Sequence, residues 1–236
     1  LNEFSARIAE TALWMMDHLM NNELSKQFGI SYTRIPLKKS PNIVNADALV
    51  IDWNELLPPS KCSYILGNPP YGGSKIQTVQ QRNQIEHIAN LGKSGGTLDY
   101  VTGWFLKAGD YVNKQTTIGF VATNSITQGE QVGQLWPALF NEYGLEIIFA
   151  HRPFKWQSDT RGKAVVTVVI LGLAKKGRNS RKLLFHYDDD ENILEENPIH
   201  ISPYLFGTKN PPVVVLETST QLNEFPRMRM GSKPID

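Results

Sequence analysis

Four short runs constrain the fold of this chain most tightly: "CSYILG" at 62–67, "TIGFVATNSI" at 117–126, "LEIIFAH" at 145–151 and "AVVTVVILGL" at 164–173. Each is apolar along most of its length and too short for an ordinary helix, so each reads as a buried strand. Stretches with helical spacing stand around them. Residues 3–20 bring Phe4, Ile8, Ala12, Met15, Met16 and Leu19 close to one helical face. Residues 99–112 do the same with Val101, Trp104, Phe105 and Ala108, and 132–143 with Leu135, Leu139 and Phe140. With a further short strand at Ile43–Val44, the order is α-β-β-α-β-α-β-β. That alternation predicts an α/β fold on a mainly parallel sheet. The last two strands are separated by a polar turn at 157–163 and no helix, so an antiparallel hairpin is expected at the sheet edge. Residues 74–98 are polar and Gly-rich and are expected to form a mobile loop region, with room for a helix at 77–90.

After Lys175-Lys176-Gly177 the character changes: "DDDENILEENP" at 188–198 is acidic and loop-like, and few periodic apolar signals come after it. A boundary is expected near 177, with one main domain over 1–177 and a small appendage over 178–236. A length of 236 residues accommodates that arrangement. The net charge is +1, from 24 Lys and Arg against 23 Asp and Glu. That balance neither requires nor excludes a nucleic-acid partner, because a basic cleft can sit on a neutral molecule. Cys62 is the single cysteine, which excludes an internal disulfide, argues against a Cys-based zinc site and suits a reducing cytoplasm. No metal is expected. No run has the apolar length needed to span a bilayer, so no membrane partner is expected either.

The exit of the first of the four runs, "ILGNPPYGG" at 65–73, is chemically unusual. Asn68 offers a neutral amide carbonyl as an acceptor. Pro69 and Pro70 have no N–H, and Pro69 biases Asn68 toward an extended backbone that fixes the direction of its amide. The Asn68 side-chain oxygen and the Pro69 carbonyl can converge on one amino group. Tyr71 adds a flat face on which a ring can stack, worth ~1–3 kcal/mol for a base. The set fits an exocyclic amine on a planar ring. Two acceptors on its hydrogens would draw the nitrogen lone pair out of the ring and favour attack on an electrophile. A plain strand-terminating turn is the competing reading of Pro and Gly here. Ligand sites of open α/β sheets, however, lie outside the carboxyl ends of their strands.

"NPPY" resembles motif IV of amino-directed, S-adenosylmethionine-dependent methyltransferases, chiefly the adenine-N6 DNA methyltransferases. The strings "ALWMMDHLM", "NADALVIDW", "GNPPYGG", "FVATNSITQGEQVGQLWP", "FAHRPFKW" and "GKAVVTVVILG" stand in the family's gamma-type order. Together they resemble the methyltransferase region of single-chain restriction-modification enzymes of the MmeI-like class, over roughly residues 1–175. The resemblance implies a class I, Rossmann-like methyltransferase sheet, S-adenosylmethionine as cofactor, double-stranded DNA as partner and a bacterial cytoplasmic setting. It assigns Asn68 and the Pro69 carbonyl to the target adenine's amino group, beside the methyl donor, with Pro70 completing the corner. Tyr71 would stack on the base, which must leave the duplex to be modified.

By the same resemblance, Asp47 matches the motif III acid that accepts from the cofactor's adenine amino group, with Ala48 and Leu49 next in line; a helix N-cap or a solvated loop carboxylate is the other reading. Trp156 or Phe154 would close the other face of the flipped base, unless both are plain core. Asp99 and Tyr100 match motif V beside the cofactor pocket, and helix capping by Asp99 has equal standing. Asn124 and Ser125 end a strand next to that pocket. Lys155, Arg161 and Lys163 would meet DNA phosphates, or simply form a solvated turn. Leu1 stands where the family packs a residue on the cofactor's adenine. Arg227, Arg229 and Lys233 would touch DNA from the start of a target recognition domain, or simply belong to a flexible terminus.

The chain departs from the family in one respect. No glycine-rich loop with a ribose-holding acid after it precedes the "NPPY" corner, since the Gly-rich stretches at 72–73 and 92–96 come later. The chain also starts at Leu1 rather than Met. These features lead us to expect a piece of a longer protein, a sheet lacking its first strand or strands, and self-association through an unpaired edge. Two other functions are compatible with the same residues. The corner also occurs in enzymes that methylate the glutamine amide of release factors and in some RNA methyltransferases, although "FAHRPFKW" and "VATNSITQGEQ" favour DNA. A non-catalytic DNA-binding segment is the third reading.

Overall fold

The computed structural model describes residues 2–29, 41–90, 97–156, 166–178, 181–188 and 192–214. It divides into two compact units, Leu1–Lys61 and Cys62–Asp236.

In the first unit, α1 (Glu3–Phe28) is longer than the apolar spacing predicts. It starts where the Asn2 side chain accepts from the Phe4 N–H, at 3.0 Å. It stops at Gly29, whose φ of 65° suits a residue without Cβ. None of its residues is buried, and Phe4, Met15, Leu19 and Phe28 are all exposed. The expected strand at Ile43–Val44 is absent: 41–45 is irregular and leads into a turn at 48–50. The turn is built by Asp47, whose carboxylate accepts from Leu49 N and whose carbonyl accepts from Val50 N and Ile51 N. A carboxylate two residues ahead of a donor offers the backbone an alternative to a ladder, so the strand ends before it starts. The one-turn helix α2 (Trp53–Leu56) comes next, capped by Asp52.

The second unit is a six-stranded sheet covered by helices. Its elements are β1 (Tyr64–Gly67), α3 (Val79–Ala89), α4 (Thr102–Tyr111), β2 (Thr117–Thr123), α5 (Gly129–Pro137), β3 (Leu145–Trp156), β4 (Val166–Lys175), β5 (Leu183–Tyr187) and β6 (Ile193–Glu196). The strand order is β1-β2-β4-β3-β5-β6. A separate two-stranded ribbon joins β7 (His200–Ile201) to β8 (Gly207–Thr208).

Three expectations need correction. The sheet is mixed: β1 with β2 and β3 with β5 are parallel, while β4 runs antiparallel to both β2 and β3, and β6 to β5. The β3–β4 hairpin is interior. β2 and β3, joined through α5, run the same way with a gap between them, and the returning β4 fills the gap and satisfies a ladder on each side. The acidic stretch is half strand. Asp188 accepts from Asn192 N at 2.8 Å, and β6 runs back along β5. Within 74–98, the helix for which 77–90 had room is α3, set by a reciprocal capping box between Thr78 and Gln81 and anchored by the fully buried Ile85.

One face of the sheet carries the core. Along β2, Ile118, Phe120 and Ala122 are buried while the residues between them are half-exposed. Phe120 meets Phe105 of α4 edge to face, with ring centroids 5.1 Å apart. On the other face, Gly172 makes room for Phe149: a Cβ there would come within 2.0 Å of the ring. β1 is not the buried strand its composition suggests, for Leu66 is 75% exposed. It stands at the end of the strand order, with β2 as its one sheet neighbour.

Candidate active site at the end of β1

The corner comes directly after β1. Gly67 pairs with Phe120, and Asn68, Pro69, Pro70 and Tyr71 then leave the sheet at the carboxyl end of β1 and β2. Pro69 is buried, Asn68 is exposed and Tyr71 is half-buried. The Tyr71 hydroxyl donates to Asn68 Oδ1 at 2.5 Å. Burial pushes the Tyr71 phenol above its ordinary pKa, so the hydroxyl keeps its proton at neutral pH. A solvent-facing amide on an otherwise fixed corner suits an incoming ligand.

The segment beyond the corner is tied down heavily. The Gly72 carbonyl accepts from Tyr100 N at 2.7 Å and from Gln77 Nε2 at 3.1 Å. A Cβ at Gly72 would lie 3.1 Å from Tyr100 Cβ, so the close approach favours glycine. Asp99, only 6% exposed, joins three elements. Its Oδ1 accepts from Ser74 N at 3.0 Å, its Oδ2 accepts the Ser125 hydroxyl, and its own N–H donates to Gln131 Oε1. With its single proton given to Asp99, Ser125 accepts from the Thr123 hydroxyl at 2.8 Å. Asp99 therefore does not cap α4 through its side chain, one of its two expected roles. Its carboxylate holds the loop after the corner to the end of β2 instead. Asn124 accepts from the Thr127 hydroxyl in a short 3-10 turn beyond β2.

Phe154 and Trp156 lie at the same end of the sheet, on β3 rather than in a loop. They register with Val168 and Val166 of β4. Two residues apart, they share a face, with ring centroids 6.1 Å apart, and Trp156 is 43% exposed. Lys155 between them is exposed and belongs to the opposite face. Three residues that the sequence did not single out complete an aromatic cluster. His151 stacks on Phe185 at 4.5 Å and shares a 2.8 Å hydrogen bond with the Tyr187 hydroxyl, and Tyr187 meets Phe154 at 5.2 Å. Burial lowers the His151 pKa and raises that of Tyr187. The alternation of "FHY" in β5 is the one signal available, but nothing in the sequence shows β5 beside β3. Leu1, Arg161, Lys163, Arg227, Arg229 and Lys233 lie outside the described residues.

In the first unit, Asp47 sits half-buried at the head of its turn, and the Ala48 carbonyl accepts from Trp53 Nε1 at 2.8 Å. Asp47 thus shapes a turn and caps no helix. A cavity of about 550 Å³ lies at the opposite end of the sheet from the corner, between the start of β3 and β7. Its wall includes Lys182, paired with Glu146 at 2.5 Å. Both charges are already compensated there, and the Glu146 carboxylate also takes the Gly177 N–H. Among the described residues, no helix is long and apolar enough to cross a membrane.

Comparison with known proteins accounts for this arrangement. The family model described as the MmeI DNA-methyltransferase domain matches residues 1–186. DNA methyltransferase A of Bacillus subtilis (strain 168) is 33% identical over 240 residues, covering 100% of this chain and 26% of that protein. The structure of the Type IIL restriction-modification enzyme MmeI in complex with DNA superposes with a TM-score of 0.84 at 41% identity, over 99% of this chain and 31% of that one. The chain thus spans no more than about a third of the length of these relatives. With an α/β unit on a mixed six-stranded sheet and the "NPPY" corner at the end of β1, the chain belongs to the MmeI DNA-methyltransferase domain family.

Proposed function

We propose that this chain is the methyltransferase part of a site-specific DNA methyltransferase within a restriction-modification enzyme, acting on N6 of an adenine flipped out of the duplex. The observation that carries the reading is the exposed Asn68 amide at the carboxyl end of β1, on a corner pinned behind Tyr71 by Gly72, Ser74 and Asp99. Family membership and the DNA-bound state of the MmeI structure support DNA as the partner. The stretch from 178 onward would lead toward a target recognition domain, after β5 and β6 have extended the catalytic sheet.

In this reading, Asn68 Oδ1 and the Pro69 carbonyl hold the two hydrogens of the adenine amine, and Tyr71 stacks on the ring. Phe154 and Trp156 stand three strands away, roughly 14 Å at ordinary strand spacing, and would wall the base from the far side. Lys155, Arg161 and Lys163 would neutralise phosphates beside it. S-adenosylmethionine would supply an electrophilic methyl group when bound. The turn-anchored carboxylate of Asp47 has the right chemistry to accept from the adenine amino group of that cofactor, with Ala48 adjacent. The residue pair to separate is Phe154 and Trp156. Trp156→Ala should weaken the flipped-base complex by about tenfold, within the usual range for one stacking face. Phe154, packed against Tyr187, should act mainly through packing. Binding of DNA carrying 2-aminopurine at the target position, monitored by fluorescence, makes the comparison.

Asp99 should act by positioning. Asp99→Asn keeps one acceptor for Ser74 N but turns the short contact with Ser125 into a weaker neutral one. We expect methyl transfer to fall by roughly tenfold, through the rate at saturating DNA rather than through KM, for a loss of only ~1–2 kcal/mol of stability. A fall in stability with an unchanged rate would count against that role. The overall reading is tested by methyl transfer to plasmid DNA by the whole protein encoded by its gene, with identification of the modified base. Absence of N6-methyladenine would refute it.

A further inference from the structure

The described partner of the Asn68 acceptor is the Tyr71 hydroxyl, at 2.5 Å. If the corner holds an amine, as proposed above, that acceptor already carries one donor when the amine arrives. We propose that the Tyr71 hydroxyl is a placeholder: it satisfies Asn68 until the target amine displaces it.

The surrounding geometry leaves rotation of the Tyr71 side chain as the means of release. On the near side, Pro69 and Pro70 have fixed φ, and Pro69 is buried. On the far side, the Gly72 carbonyl is bound twice and Ser74 N is bound to Asp99. The backbone is held on both sides of a half-buried ring whose tip rests on a solvent-facing amide. An amide oxygen has two lone pairs, one of which the hydroxyl already uses, so an amine gains the full choice of geometry on Asn68 only when the hydroxyl withdraws. The raised phenol pKa keeps the donor in place throughout the neutral range.

Such a device lowers the net advantage of a base with an amine facing Asn68, because the amine's bond replaces one that is already made. A base without the amine can stack on Tyr71 yet cannot replace the hydroxyl on Asn68.

The test uses the whole protein and duplexes containing its methylated sequence, with either adenine or purine, which lacks the 6-amino group, at the target position. Binding is measured by fluorescence anisotropy without methyl donor. Tyr71→Phe keeps the ring and removes the hydroxyl. The preference for adenine over purine should then rise by about fivefold, the worth of one ordinary hydrogen bond. Tyr71→Leu, which loses the ring as well, should weaken both duplexes. An unchanged preference in Tyr71→Phe would overturn the placeholder role, and a reduced one would mean that the hydroxyl assists the amine. If the wild-type protein leaves no N6-methyladenine in plasmid DNA, the adenine reading itself fails and the placeholder falls with it. If it methylates and the preference does not move, the placeholder alone is wrong.

Discussion

Replacing Asn68 by Ala is expected to lower single-turnover methyl transfer by about 10²–10³-fold, the effect of removing one preorganised hydrogen-bonding group from a reacting centre. Asn68 is exposed, and its described side-chain contact is with the Tyr71 hydroxyl. Removing its amide leaves no cavity and strands no buried donor. Stability should therefore stay within about 0.5 kcal/mol of wild type, as for an ordinary surface substitution. That separation of rate from stability is the useful part of the prediction. Transfer of labelled methyl groups to plasmid DNA measures the first, and thermal melting the second. A variant that retained activity within tenfold of wild type would remove Asn68 from the reaction and leave the corner a turn.

Trp136→Ala should have the opposite signature, a large loss of stability with activity lost as a consequence. Trp136 is fully buried in α5, meets Phe140 edge to face at 5.2 Å and donates its indole N–H to the Ile126 carbonyl at 2.8 Å. Truncating a buried aromatic of this size costs about 3–5 kcal/mol. Trp136→Phe should cost less, about 1–3 kcal/mol, by leaving the Ile126 carbonyl without its donor. Urea unfolding of the 236-residue chain gives both values. The link to the site is short, because Ile126 is the next residue after Ser125, whose hydroxyl reaches Asp99. In the Phe variant, methyl transfer should thus decline at temperatures well below unfolding. An Ala variant within 1 kcal/mol of wild type would show that the neighbours close over the gap.

Much of the chemistry is readable from residue order because it is local. Asn68 to Tyr71 are consecutive, two prolines constrain them, and a strand end needs no partner to be recognised as one. The capping box of α3 is equally local, yet the stretch reads mainly as loop with room for a helix at 77–90, because Thr78 and Gln81 lie among polar residues with few apolar anchors. The absent strand at Ile43–Val44 has the reverse cause. Two β-branched residues suggest a strand, but the backbone donors beyond them belong to Asp47. The existence of α1 is legible and its extent is not, since the polar residues after Met20 have adequate helix propensity without apolar spacing.

By itself the sequence determined the α/β class, the order of most elements and the place of the Asn-Pro-Pro-Tyr corner at a strand end. Each of these is written in neighbouring residues or in a short period. Only the tertiary structure decided that β4 lies between β2 and β3, that β1 is an exposed outer strand, and that Asp99 ties the corner to the end of β2. It also decided that His151, Phe185 and Tyr187 stand behind Phe154. Strand order depends on which ladder edges remain to be satisfied, and Asp99 and Ser125 meet across 26 residues. Such pairings are settled by packing and by the need to bond buried polar groups, and neither leaves a periodic trace in the chain.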